Sequence, residues 1–134
     1  MRRSILFSGI IVPAAFALFF ISPSQNLQES IKRGKEVYLL NCQNCHMEKG
    51  EGIEGVNPPL AKTTYLKDAK KNIGIILNGQ TGEVTVNGKK YNAIMNPMNY
   101  LDDQQISDVL NYVRNSWGNK YPYISPTQVK AERK

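Results

Sequence analysis

The chain has 134 residues, 41% of them hydrophobic, with a formal net charge of +6, which is room for one small domain. The basic balance fits either steering toward an acidic partner or plain solubility. The Lys and Arg residues are not gathered with interleaved aromatics, so no nucleic-acid partner is expected.

Met1-Arg2-Arg3 is a short basic head, and Ile5 to Ile21 is an apolar run without a charged residue. Ser22-Pro23-Ser24 then offers small residues where a signal peptidase reads, completing the three-part pattern of a secretory signal. Residues 1–24 are therefore expected to be a signal peptide, cleaved after Ser24, with one domain over residues 25–134. The run is at the lower edge of what spans a bilayer, so an uncleaved anchor is the alternative, although Pro13 inside it disfavours a regular helix. Either way the domain is exported, to the periplasm or the outer face of the cytoplasmic membrane. Membrane association is expected only if the segment is retained.

Ser30 to Asn41 reads as a helix, with Ile31, Val37, Tyr38 and Leu40 as a partial apolar face. Gly34 sits inside this pattern at a cost of about 1 kcal/mol against alanine, which points to close approach of a second helix.

The helix leads into Cys42-Gln43-Asn44-Cys45-His46, which holds both cysteines and the only histidine. Cys-x-x-Cys-His reads as a c-type haem attachment site. Two thiols a few residues apart on one turn can reach the two vinyl groups of one porphyrin, and the adjacent imidazole falls under the iron. A disulfide is the first competing reading, since exported proteins form them, but it leaves His46 unexplained. Zinc normally takes four Cys or His ligands, and the chain offers three. A thioredoxin-like redox pair calls for a βαβ context, and no parallel-strand pattern surrounds the motif.

Met47 to Leu60 reads as a loop rich in Gly and Pro, able to run along a flat ligand. A short helix over Thr64 to Leu66 and a second over Asp68 to Leu77 follow, stopped by Gly79. Glu83 to Val86 and Lys89 to Tyr91 flank Asn87-Gly88 and read as a small β-hairpin. Residues 92–100 form a loop bearing Met95, Pro97 and Met98. Leu101 to Trp117 is the clearest helix, capped by Asp102 or Asp103, with Ile106, Val109, Leu110, Val113 and Trp117 on one side and Gly118-Asn119 at its end. Ser125-Pro126-Thr127-Gln128 has the form of a capped start to a short last helix.

These residues resemble the class I cytochrome c family: Gly34 and Tyr38 ahead of Cys42-Gln43-Asn44-Cys45-His46, a Pro-bearing loop, a late Met and a C-terminal amphipathic helix. The resemblance covers about Leu27 to Asn119. It implies an all-α class I cytochrome c fold, here with a β-hairpin insertion and a short C-terminal tail, in which the first and last helices cross. Gly34 and Tyr38 match one side of that crossing, Val109 and Tyr112 the other. Val86-Asn87-Gly88, Tyr91-Asn92 and Tyr112 to Asn119 are similar to small bacterial monohaem cytochromes that accompany, or are fused to, periplasmic dehydrogenases and nitrite reductases.

The implied function is one-electron transport without bond chemistry. One covalent haem c is implied, bound by Cys42 and Cys45, with His46 and Met95 on the iron. Partners would be redox proteins such as a periplasmic dehydrogenase, a nitrite reductase or a terminal oxidase. The family often has Met directly followed by Pro at the sixth ligand. Here the order is Met95-Asn96-Pro97-Met98, so Met98 competes, and Met95 is preferred for its spacing to Leu101. A haem enzyme or gas sensor with a displaceable sixth ligand is the alternative function.

Overall fold

A computed structural model describes residues 23–133; the predicted signal segment up to residue 22 lies outside the described residues. The elements in chain order are α1 (Pro23–Asn41), α2 (Gln43–His46), a 3₁₀ turn (Thr64–Lys67), α3 (Ala69–Asn78), β1 (Val84–Val86), β2 (Lys89–Tyr91), α4 (Asp103–Val113) and α5 (Pro126–Glu132). The fold is the expected mostly helical one with a two-stranded antiparallel hairpin. Among the described residues no helix is long and apolar enough to cross a membrane.

The helix α1 begins earlier than its apolar pattern suggested. Its buried face is Ser30, Gly34 and Tyr38, a four-residue repeat that keeps one stripe inward. Leu40, expected on the apolar face, is 81% exposed, because it lies off that stripe. The stripe packs on α4. A Cβ added at Gly34 would stand 1.9 Å from the Asp108 carbonyl oxygen and 2.9 Å from Tyr112 Cβ. The crossing partners are thus Asp108 and Tyr112. Val109, expected at this contact, turns instead into the main core.

A buried polar network binds the same two helices. The Asp108 carboxylate accepts from Ser30 Oγ at 2.5 Å, Arg33 Nε at 2.7 Å, Arg33 Nη2 at 2.9 Å and Gln104 Nε2 at 2.9 Å. Bonds to an ion of this kind contribute about 1.5–3 kcal/mol each, and here they offset the desolvation of a carboxylate that is 2% exposed. Arg33 is held further toward its charged form by its bond to Asp108.

Local chemistry sets the remaining elements. Thr63 caps the 3₁₀ turn through Tyr65 N at 3.1 Å, and Asp68 caps α3 through Lys71 N at 3.0 Å. Ile73, Ile76 and Leu77 face the core from α3. Gly79 ends α3 at φ 73°, where a Cβ would meet the Met95 carbonyl oxygen at 2.5 Å, so only glycine fits. In the hairpin Val84 pairs with Tyr91 and Val86 with Lys89. Asn87 and Gly88 both have positive φ, 51° and 77°, as a type I′ turn requires. Such a short hairpin needs a surface to lie on, and Val86 and Tyr91 provide it by burial.

The helix α4 opens with a capping box between Asp102 and Gln105. It stops at Val113, not at Trp117. Asn119 Nδ2 takes over the Val113 carbonyl at 2.9 Å, and Trp117 adopts φ 51°. This turns the indole onto Tyr38 and Tyr112, with ring centroids 5.1 and 5.3 Å away. Trp117 also fills the space over Gly50, where a Cβ would come within 2.5 Å of its ring. The last helix starts at a Ser125–Gln128 capping box with Pro126 in its first turn. Ile124 and Val129 bury this tail against the core.

Candidate functional site

Cys42 is the turn residue that joins α1 to α2 and Cys45 lies within α2, both as free thiols. The chain bends there because the Cys42 carbonyl accepts from Cys45 N at 3.2 Å and His46 N at 3.0 Å. The bend is held from outside by Tyr38, whose hydroxyl donates to the Met47 carbonyl at 2.6 Å. Met47 itself takes φ 64°, which turns the following loop back across the motif.

That loop fixes the imidazole. His46 Nδ1 lies 2.9 Å from the Pro58 carbonyl oxygen; a carbonyl only accepts, so Nδ1 donates. This leaves Nε2 as the ring nitrogen with a lone pair for a metal, an orientation typical of ligating histidines. Burial lowers the proton affinity of His46, opposed in part by the Pro58 bond, so the neutral, ligating form is favoured. Burial likewise pushes the Cys42 thiol up to about 12, so the group is a protonated thiol rather than a standing thiolate.

All three motif residues line one cavity of about 230 Å³. Its walls are mainly apolar: Leu60 and Leu66, Ile75 and Ile76 of α3, Val84, Val86 and Tyr91 of the hairpin, and Val109, Leu110 and Val113 of α4. The hairpin is thus a wall of the cavity. Met95 and Met98 complete the lining. Met95 is held just beyond the end of α3 by paired backbone bonds with Gln80, at 2.8 and 2.9 Å, and Met98 N donates to the Ile76 carbonyl of α3 at 2.7 Å. Exposed Cys45, Ile94 and Asn96 also belong to the lining, so the cavity opens to solvent there.

The structure therefore brings Cys42, Cys45, His46, Met95 and Met98 to one apolar cavity. The donor set suits a tetrapyrrole iron: two thiols for covalent attachment, one oriented imidazole and two thioethers. Among the described residues there is no group of three or more His, Cys, Asp and Glu that could hold a metal ion.

Sequence reasoning missed the residues that support this set. Pro58 acts through its carbonyl, which residue type does not advertise. Asn119 joins three segments: Nδ2 donates to the carbonyls of Leu60 at 2.7 Å and Val113 at 2.9 Å, and Oδ1 accepts from Thr63 N at 3.1 Å. Its place after Gly118 suggested only a helix end. Buried Arg114 donates to the Leu66 carbonyl at 2.8 Å, and desolvation lowers its affinity for a proton.

Known proteins are similar to this chain in sequence. The family model described as cytochrome c matches residues 31–117. Cytochrome c-552 of Thermus thermophilus is 32% identical over 124 residues, an alignment spanning 75% of this chain and 94% of the relative. The cytochrome c subunit of the quinone alcohol dehydrogenase of Gluconobacter oxydans is 35% identical over 91 residues, spanning 66% of this chain but 19% of that subunit. The cytochrome c subunit of gluconate 2-dehydrogenase from Pantoea cypripedii is 33% identical over 90 residues, with 64% and 20% covered.

Proposed function

The chain belongs to the cytochrome c family, whose members carry covalently attached haem c, and from that premise we propose that it is an exported one-electron carrier with a His/Met-ligated haem. Cys42 and Cys45 supply the two thioether bonds, His46 the proximal ligand and Met95 the distal one. The observation that carries this reading is the convergence of Cys42, Cys45, an Nδ1-anchored His46 and the methionine loop on one apolar cavity.

The bound group supplies a single reversible one-electron couple at iron. The protein's own residues do the rest. Pro58 holds the imidazole plane through Nδ1, and the leucine, isoleucine and valine walls exclude water. A thioether from the 95–98 loop favours the reduced iron relative to a second imidazole. The cavity mouth beside Cys45 and Ile94 is the side on which a partner approaches closely enough to exchange an electron.

Relatives named as dehydrogenase cytochrome subunits make an exported dehydrogenase the favoured class of partner. Residues 1–24 are proposed as a signal removed after Ser24, which places the protein in the periplasm. An intact mass that still includes Met1 to Ser24 would replace this with attachment to the membrane surface.

The function is tested on purified protein with two spectra. A pyridine haemochrome taken after extraction of non-covalent haem is expected to show one covalent haem per chain. The ferric protein is expected to show the weak absorption toward the red end of the visible range that a Met–iron bond gives. Covalent haem without that band would shift the reading to an enzyme or gas sensor with an open sixth position.

A further inference from the structure

We infer that Arg133 is a positioning residue for the distal ligand, acting as a clamp on the backbone that leads out of the methionine loop. The inference rests on the reading that a thioether from this loop ligates the iron, and it holds for either methionine.

Upstream, the loop is fastened to α3. Met95 exchanges two backbone bonds with Gln80, and Met98 N donates to the Ile76 carbonyl at 2.7 Å. Downstream, between Met98 and the start of α4, the chain is fastened by the side chain of the residue that follows α5. The Arg133 guanidinium donates through Nη1 to the Asn99 carbonyl at 3.1 Å and through Nη2 to the Leu101 carbonyl at 2.5 Å. Its Nε donates to the Asp103 carboxylate in the first turn of α4. One rigid, planar group thus ties three points within five residues of Met98, a task suited to a guanidinium and not to an ammonium.

The clamp has a firm base. Asn111 pairs with both backbone groups of Ile124, donating through Nδ2 to its carbonyl at 2.8 Å and accepting through Oδ1 from its N–H at 2.8 Å. Val129 of α5 is fully buried. Ile124, Val129 and Arg133 lie beyond residue 117, where the family match ends. The tail therefore contributes a restraint that the family region does not supply: thioether release needs the 95–101 loop to swing, and Arg133 resists that swing.

The test uses full-length ferric holoprotein and the limiting rate at saturating imidazole, which reports thioether release. Arg133→Ala is expected to raise this rate about tenfold, equivalent to about 1.4 kcal/mol. Arg133→Lys should fall between alanine and the parent, and it carries the same comparison should the alanine variant fail to fold. Lys70→Ala is the control. It removes the 3.6 Å contact between α3 and Glu132 of the same tail helix without touching the loop, and it should leave the rate at the parent value. A Met–iron band in the parent with no rate change in either Arg133 variant overturns the clamp and leaves the ligand reading intact. An equal acceleration in Lys70→Ala overturns it too, as general loosening of the tail. A parent lacking the band overturns the ligand reading and the clamp with it.

Discussion

At the scale of single residues, Gly34 has the narrowest tolerance. A helical glycine normally gains stability on replacement by alanine, by up to about 1 kcal/mol. Here the added methyl would sit 1.9 Å from the Asp108 carbonyl oxygen, so backbone must give way. Overpacking of this kind typically costs about 1–3 kcal/mol. Gly34→Ala is therefore expected to destabilise the protein despite its better propensity, and Gly34→Leu to do so more severely. Denaturant midpoints of the holoprotein check both, and a Gly34→Leu protein as stable as the parent would remove the close crossing from the account. The neighbouring Tyr38 shows how one side chain serves two roles. Its ring joins Tyr112 and Trp117, and its hydroxyl braces the turn at Met47. Desolvation in that position raises its affinity for the phenolic proton, which keeps the donor in place at ordinary pH.

At the scale of elements, the loop over residues 92–100 decides the distal chemistry. Met95 and Met98 both line the cavity and both pack partly against the core, while only one thioether can occupy a sixth position. Met95 is preferred for its spacing to Leu101, and its backbone is registered to Gln80 on both sides. Met95→Ala is expected to abolish the Met–iron band, lower the reduction potential and speed the binding of added cyanide. Met98→Ala should keep the band and change mainly packing. The opposite pair of outcomes would transfer the role to Met98. Elements also show what a sequence can and cannot announce. The hairpin was legible because Asn87-Gly88 is a local instruction, and α5 because Ser125, Pro126 and Gln128 are. The haem motif and Gly34 were legible because chemistry or steric demand fixes residue type at those points. The end of α4 was not: Trp117 continues the helical spacing of Ile106, Leu110 and Val113. What ends the helix is Asn119 bonding to Val113, Leu60 and Thr63 and the indole docking on Tyr38 and over Gly50, all contacts distant in sequence. The early start of α1 and the exposure of Leu40 were hidden because the inward stripe of Ser30, Gly34 and Tyr38 contains one aromatic and two small residues.

At the scale of the whole molecule, the core is organised around the cavity. The cluster of buried residues includes Leu66, Ile73, Ile76, Leu77, Leu101, Ile106, Val109, Leu110 and Val113, and six of these, Leu66, Ile76, Leu101, Val109, Leu110 and Val113, also line the cavity wall. Without the group that fills it, those side chains would face water or collapse inward, and a domain of this size has little spare burial to absorb the loss. The α1–α4 crossing, with its Asp108 network and the ring cluster of Tyr38, Tyr112 and Trp117, lies outside the cavity lining and could persist alone as a helix pair. The hairpin, α3 and the methionine loop all contribute walls to the cavity. Serine at both Cys42 and Cys45 is therefore expected to eliminate covalent haem and leave a largely unfolded chain, in which any residual helix comes from α1 and α4. Circular dichroism and the hydrodynamic radius of the double variant, purified without added haem, measure this directly. A compact double variant with full helix content would mean that the apolar walls close on themselves, and that the cofactor is a passenger in a fold complete without it.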